Sequence, residues 1–291
     1  MSKNFANESM DIFHPRVDRR RNTNGITGSH FPLYEWGLAA TSKLIPFSDT
    51  LARSYSAVIF SFVMLAFYLL LRVILFDRFQ SAAGSLLLLS IPQFYYDSIN
   101  AMPDNLALAL ALFGLYFIIQ FYRNPNWLVL LAAYVVTLFA GLIKFQFLII
   151  PFAAIAFIKI NRLQVIGALI LSTIVVPVYL WYQYALELMK LNNIKEFGLW
   201  IKPISPDSKW QTFIDNLMSD APELLMGWPS MLALIVLGFR FIPRFKLGKR
   251  GLMIMLWLMG FAIFYIVAIE RMKHHSYYFM ALLPLFGCYS L

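Results

Sequence analysis

Apolar runs recur at short intervals from residue 54 to the end of the chain. The polar breaks between them predict about nine membrane-crossing helices, at 54–71, 81–96, 105–122, 127–143, 145–158, 165–182, 224–239, 252–269 and 277–291. A helix rises 1.5 Å per residue, so roughly 20 residues are needed to cross the hydrocarbon core. Several runs fall slightly short, and flanking Trp and Tyr extend them into the interface. Only Lys144 separates the fourth run from the fifth, which predicts a hairpin with Lys144 at its tip. Residues 1–53 are polar apart from an amphipathic stretch at 32–45, and a second polar segment covers 183–223.

Composition removes the soluble alternative. The 291 residues are 60% hydrophobic and 13% charged, with a mean hydropathy of +0.67. Soluble domains carry about a quarter charged residues, so this chain has too few to coat a water-facing surface. The fold class expected is therefore all-α, a polytopic transmembrane bundle over 54–291 behind a first loop over 1–53. The net charge of +9 does not argue for nucleic acid as a partner. The basic residues sit mainly between apolar runs, where topology or anionic lipid accounts for them. Cys288 is the one cysteine, so neither an internal disulfide nor a multi-cysteine metal site is available. No apolar signal-peptide core precedes residue 50.

Short-loop charge sets the orientation. One set of loops holds Arg72 and Arg78, Arg123, Lys159 and Arg162, then Arg240, Arg244, Lys246, Lys249 and Arg250. The alternate set holds Asp97 and Asp104, Lys144, then Glu270, Arg271 and Lys273. The first set is far richer in positive charge and is placed in the cytoplasm. The loops 1–53 and 183–223 then lie outside, in a multi-pass protein of the inner (plasma) membrane. A basic segment carrying Lys3, Arg16, Arg19, Arg20 and Arg21 resists translocation. A further helix is thus expected upstream, and the short last run makes the chain read as a fragment truncated at both ends.

The polar groups that could carry chemistry gather on the outer side. They are Asp18, His30 and Glu35 in the first loop, Asp97 and Asp104 in the next, Lys144 at the hairpin tip, and Arg271, Lys273, His274, His275, Tyr277 and Tyr278 near the end. Ionisable groups at the edge of a membrane bundle are functional candidates by default. Structural roles compete for each. Asp104 at the start of an apolar run can cap a helix, Arg271 and Lys273 can snorkel, and Tyr95-Tyr96 and Tyr277-Tyr278 can belong to an interfacial belt. His274 and His275 are adjacent, and a chelating pair on a helix needs a spacing of three or four. Lys144 resists a structural reading, since a lone ammonium between apolar halves needs an anion or water. Cations at that depth suit a lipid-linked phosphate. Carboxylates beside them suit a general base or a divalent cation, whose presence stays open. No Walker loop, dinucleotide fingerprint or zincin helix occurs.

The order of these motifs resembles that of bacterial membrane glycosyltransferases of the GT-C fold, relatives of the protein O-mannosyltransferases and the lipid A aminoarabinose transferase. Ile12-Phe13-His14-Pro15-Arg16-Val17-Asp18 and Phe31-Pro32-Leu33-Tyr34-Glu35-Trp36 resemble the first external loop, and Leu51-Ala52-Arg53-Ser54 the start of the helix after it. Met102-Pro103-Asp104-Asn105, Leu142-Ile143-Lys144-Phe145-Gln146, and His275-Ser276-Tyr277-Tyr278 before Leu283-Pro284 follow in family order. Ser276 stands where the family pattern has Asp. The resemblance implies transfer of a sugar from a polyprenyl-phosphate donor to a glycan, lipid or protein acceptor on the outer face, as part of cell-envelope chemistry. It implies roles for Asp97, Asp104 and Glu35 in catalysis. Lys144, Arg271, Lys273, His274, His275, Tyr277 and Tyr278 would bind the donor phosphate, and His30 and Asp18 would lie on the acceptor or metal side. It places the family's catalytic base just before Asn4, at a position this sequence does not carry.

A transporter or flippase for a lipid-linked saccharide is the rival class. Such proteins often show internal repeats and broken helices at mid-membrane. No repeat is evident here, and the charges sit at helix ends, which favours the enzyme. An inactive remnant is the third reading.

Overall fold

The computed structural model describes residues 1–20, 22–75, 77–98, 100–159, 161–192, 211, 214–215, 248–272 and 276–285, with the side chains of 269–272 and 276 left out. These residues form helices with no strand among them; one isolated antiparallel bridge joins Arg16 and Ile26. Among the described residues four helices are long and apolar enough to cross a membrane, as in an all-α polytopic bundle. The expected helix at 224–239, and most of 183–223, lie outside the described residues.

Helix α1 (Ser2–Asn7) and helix α2 (Leu33–Ser42) build the first loop. The amphipathic helix expected at 32–45 is thus present but shorter, and α1 was not foreseen. Helix α3 (Asp49–Leu75) starts well before residue 54, with Asp49 in its first turn and Arg72 in its last, both favourable to the helix dipole. The run expected as one span at 81–96 is two helices, α4 (Arg78–Leu89) and α5 (Pro92–Ser98). Pro92 is the cause, because its ring disfavours helical geometry at Ile91. The Ser90 amide and hydroxyl both donate to the Leu87 carbonyl and close α4.

Helix α6 (Pro103–Arg123) is the centre of the bundle and packs chiefly against α3 and helix α7 (Trp127–Ile143). Association inside a membrane rests on close packing, which small residues permit. Ala107, Ala111 and Gly114 of α6 and Ala133 and Ala140 of α7 are buried on these helices. At Gly114 the Thr137 hydroxyl occupies the space that a Cβ would take, so the two backbones approach where a larger residue could not sit.

After Lys144 the chain returns as a 3-10 turn (Phe145–Leu148), a short helix α8 (Ile149–Phe152) and a second 3-10 segment (Ala153–Phe157). The helix expected at 145–158 is therefore mostly of the tighter kind. Pro151 removes one backbone donor from this run. Helices α9 (Arg162–Ser172) and α10 (Val175–Asn192) follow, bent at Thr173–Ile174 and together long enough to span. Pro177 explains the bend, since its ring meets the carbonyl four residues earlier, that of Thr173. The chain stays helical to Asn192 rather than ending at 182. Helix α11 (Lys249–Met272) and a 3-10 segment (Ser276–Ala281) complete the described bundle.

Alternating direction gives the bundle two chemically distinct ends. At one, Asp77, Asn126 and Asn161 cap α4, α7 and α9 through side-chain oxygens, beside Arg72, Arg123, Lys159 and Lys249. At the other end lie the first loop, the start of α6, Lys144 and the Tyr277-Tyr278 segment. These are called the arginine end and the Lys144 end below.

Candidate functional site at the Lys144 end

Lys144 closes α7, and its own backbone is extended. Its ammonium lies 2.9 Å from Asp104 Oδ1, with the side chains 15% and 1% exposed. The same nitrogen sits over the ring of Tyr277 at 4.2 Å and within 5.4 Å of the Tyr278 centroid. The two tyrosine rings are 4.8 Å apart. An ammonium over aromatic faces is attracted by the ring quadrupole. Lys144 is thus met by one carboxylate and two π-faces contributed by α6 and the final 3-10 segment.

Two further elements fix the position of Lys144. Tyr182 of α10 spans its backbone: the Phe145 amide donates to the Tyr182 hydroxyl at 3.3 Å, and that hydroxyl donates to the Ile143 carbonyl at 3.4 Å. One residue earlier, the Leu142 carbonyl accepts from the Phe31 amide at 3.0 Å, tying the first loop to the hairpin tip. Tyr182 was not foreseen from the sequence, where it reads as the aromatic end of an apolar run.

Asp104 sits in the first turn of α6, where Met102 is the N-cap and no side chain caps the helix. Its carboxylate faces Lys144 instead. Asp97, on α5 and 2% exposed, accepts from Gln93 Nε2 at 2.7 Å. The Asp97 carbonyl accepts from Asn105 Nδ2 at 2.8 Å, which brings the end of α5 against the start of α6. The Asp97 and Asp104 carboxylates are close enough to act on each other electrostatically, and Lys144 pairs with Asp104. Asn105 Oδ1 and Gln146 Nε2 are buried and carry no hydrogen bond, leaving an acceptor and a donor on the residues next to Asp104 and Phe145.

Glu35 and His30 form a second pair, His30 Nε2 lying 3.0 Å from Glu35 Oε1. Burial pushes the Glu35 carboxyl up, but the charge and hydrogen bond of His30 and a backbone hydrogen bond outweigh it and hold it below the usual carboxylate range. Glu35 Oε2 is buried with no hydrogen bond. The loop carrying this pair is docked on α10. Phe31 packs edge-on to Trp181 at 4.9 Å, the Trp181 indole donates to the Ser29 carbonyl, and Tyr184 reaches His14, which pairs with Asp11. The α2 side of the loop is anchored by a 2.6 Å hydrogen bond between Tyr34 and Ser56 of α3, and burial pushes the Tyr34 phenol up to about 12.

Asp18 is exposed, and its charge acts on Arg20, in the cluster where Glu8 pairs with Arg16 and Arg20. The structure thus brings together Asp97, Asp104, Lys144, Tyr277 and Tyr278, and separately His30 with Glu35. Arg271 lies in the last turn of α11, while its side chain and Lys273, His274 and His275 are outside the described residues. Among the described residues no three His, Cys, Asp or Glu converge as a metal site.

The loop's acidic groups make it pH-sensitive. Hydrogen bonds from Arg20 and Arg16 hold Glu8 below its ordinary value, and those from His14 and the Phe13 amide do so for Asp11. A carboxyl whose folded pKa is depressed adds stability above its unfolded pKa, and loses it as pH falls through the folded value. Hydrogen exchange over residues 8–36, corrected for intrinsic rates, should therefore stay slow at neutral pH and rise once pH falls below about 4. Unchanged protection down to pH 2 would show that these carboxylates do not hold the loop.

The fold is that of a polytopic helical membrane protein, with the buried Lys144–Asp104 ion pair at one end of the bundle. The chain belongs to the dolichyl-phosphate-mannose-protein mannosyltransferase family, whose sequence pattern matches residues 29–182. That places it among membrane glycosyltransferases. The matched stretch begins beside His30 and ends on Tyr182, so it takes in the His30–Glu35 and Lys144–Asp104 pairs and leaves out Tyr277 and Tyr278. No curated protein and no solved structure matches the chain.

Proposed function

We propose that the chain moves a sugar from a polyprenyl-phosphate-linked donor to an acceptor on the outer face of the cytoplasmic membrane, with the Lys144 end outside. The observation that carries this reading is Lys144 itself. An ammonium has three N–H donors. Asp104 takes one, the tyrosine faces cover one side, and the remainder can meet a phosphate approaching from the lipid. The charge excess at the arginine end supports its placement in the cytoplasm.

In this reading a carboxylate removes the proton from an acceptor hydroxyl or amine. The acceptor atom attacks the anomeric carbon, the bond from that carbon to the phosphate oxygen breaks, and the polyprenyl phosphate departs with the electron pair. Lys144 stabilises the negative charge that grows on the leaving phosphate. Glu35 can serve as that base, because it is ionised at neutral pH and its Oε2 is buried with no hydrogen bond. Asp104 acts through Lys144 by fixing its position, and Asp97 adds its charge beside that of Asp104. His30 orients Glu35 and lies on the acceptor or metal side.

The test is a transfer assay in vesicles of known orientation, supplied with a radiolabelled polyprenyl-phosphate sugar. Label should move to an endogenous envelope acceptor with release of polyprenyl phosphate. Movement of intact donor between leaflets without cleavage of the sugar–phosphate bond would replace the enzyme reading with a flippase.

A further inference from the structure

The arginine end carries a groove that the transfer chemistry does not use. It is lined by Ile118, Tyr122, Pro151, Ile155, Ile158 and Leu171, among others, and has a volume of about 160 Å³. The lining is almost entirely apolar and includes Ile155, which is 56% exposed. The groove runs lengthwise along the bundle. Ile118 lies inside α6, and Leu171 and Ser172 close α9 far from its start at the arginine end, whereas Tyr122 and Ile158 lie at that end.

Cations stand at that shallow end. Arg123 follows Tyr122, Lys159 follows Ile158, and Arg162 opens α9; all three are exposed. Gln164 locks them into one unit. Its amide nitrogen donates to the Tyr122 carbonyl at 2.6 Å, and its amide oxygen accepts from the Lys159 backbone N–H at 2.6 Å. Lys249 reaches the Phe157 carbonyl at 3.4 Å, and Arg250 is close enough for its charge to act on Arg123. The α9 N-terminus, capped by Asn161, adds its dipole to the same positive field. Basic pockets between transmembrane helices suit anionic headgroups. An apolar slot ending in such a pocket has the two-part chemistry of a lipid with a charged head.

We propose that this groove binds one anionic glycerophospholipid, with an acyl chain along the slot and its phosphate held by Arg123, Lys159 and Arg162. Lys159 and Arg162 supply selectivity, since they touch the headgroup and, among the described residues, their side chains are engaged in no hydrogen bond or ion pair of the fold. Arg123 also donates to the Val73 carbonyl at 2.7 Å and so couples the lipid to the end of α3.

The test uses the intact protein, purified in neutral detergent and mixed with phosphatidylglycerol or phosphatidylcholine, and native mass spectrometry counts the retained lipid. One phosphatidylglycerol should be retained in preference to phosphatidylcholine. Lys159→Gln with Arg162→Gln should weaken that retention by about 25-fold, at about fivefold per cation. Ala168→Phe, which fills the slot and leaves the charges alone, should weaken both lipids. Equal retention of the two lipids, or preference intact in the double Gln variant, overturns the proposal. So does an Ala168→Phe protein that is destabilised without losing lipid, because the slot is then filled by the chain itself.

Discussion

Replacing Lys144 with Met should reduce sugar transfer by roughly 10²–10³-fold, the usual cost of losing one charge-stabilising donor at a developing anion. The fold suffers as well. Asp104 is 1% exposed and would lose its cation. Breaking a buried pair by removing one partner costs about 3–5 kcal/mol, because the other charge is left uncompensated. The single variant therefore mixes two effects. A double variant, Lys144→Met with Asp104→Asn, separates them, since two neutral side chains leave no stranded charge. Its thermal stability in detergent should return close to that of the parent, while transfer stays low. If transfer returned along with stability, Lys144 would be a structural partner of Asp104 and the phosphate role would be lost.

The second large effect is expected at Gly28. A Cβ there would fall on the backbone carbonyl of Ala185 in α10, and backbone cannot turn aside as a side chain does. Gly28→Ala should lift the segment around Ser29–Phe31 from α10 and break the bond from the Trp181 indole to the Ser29 carbonyl. Overpacking typically costs about 1–3 kcal/mol. The functional cost should be larger. His30 and Glu35 ride on this segment, and a displacement of about 1 Å at a reacting group can reduce rate by about 100-fold. Gly37→Ala is the control, because its Cβ would meet the hydroxyl end of the Tyr55 side chain, which can swing away. Tryptic cleavage at the exposed Arg19 should accelerate in the Gly28 variant and not in the Gly37 variant. Equal cleavage and equal transfer in both would mean that loop docking on α10 is unimportant.

The helical, membrane-spanning character was legible because it depends on composition and run length alone. Positions 103–123 and 127–143 nearly coincide with the expected runs, since Pro103, Asn126 and Lys144 mark their ends. Breaks inside apolar runs were less visible. Pro92 and Pro177 divide two expected spans, and each is a single residue within a stretch of uniform hydropathy. At the site, the pairing of Lys144 with Asp104 joins two loops that the topology places at one end, and the charge pattern hinted at it. Tyr182 could not be found this way. Its role depends on a hydroxyl reaching two backbone groups on another helix, and no local pattern records that. The proximity of Gly28 to Ala185 is hidden for the same reason.

The tight turns after Lys144 explain how a short stretch joins the two ends of the bundle. A 3-10 helix climbs about 2.0 Å per residue where an α-helix climbs about 1.5 Å. The 13 residues of Phe145–Phe157, mostly 3-10, therefore reach roughly 24 Å, a distance for which an α-helix needs about 16 residues. By stretching the backbone rather than lengthening the sequence, the chain sets Lys144 at one end of the bundle and Lys159 near the other. This narrow strut is the shortest covalent path between the two charged ends, so a change in its pitch would alter their separation.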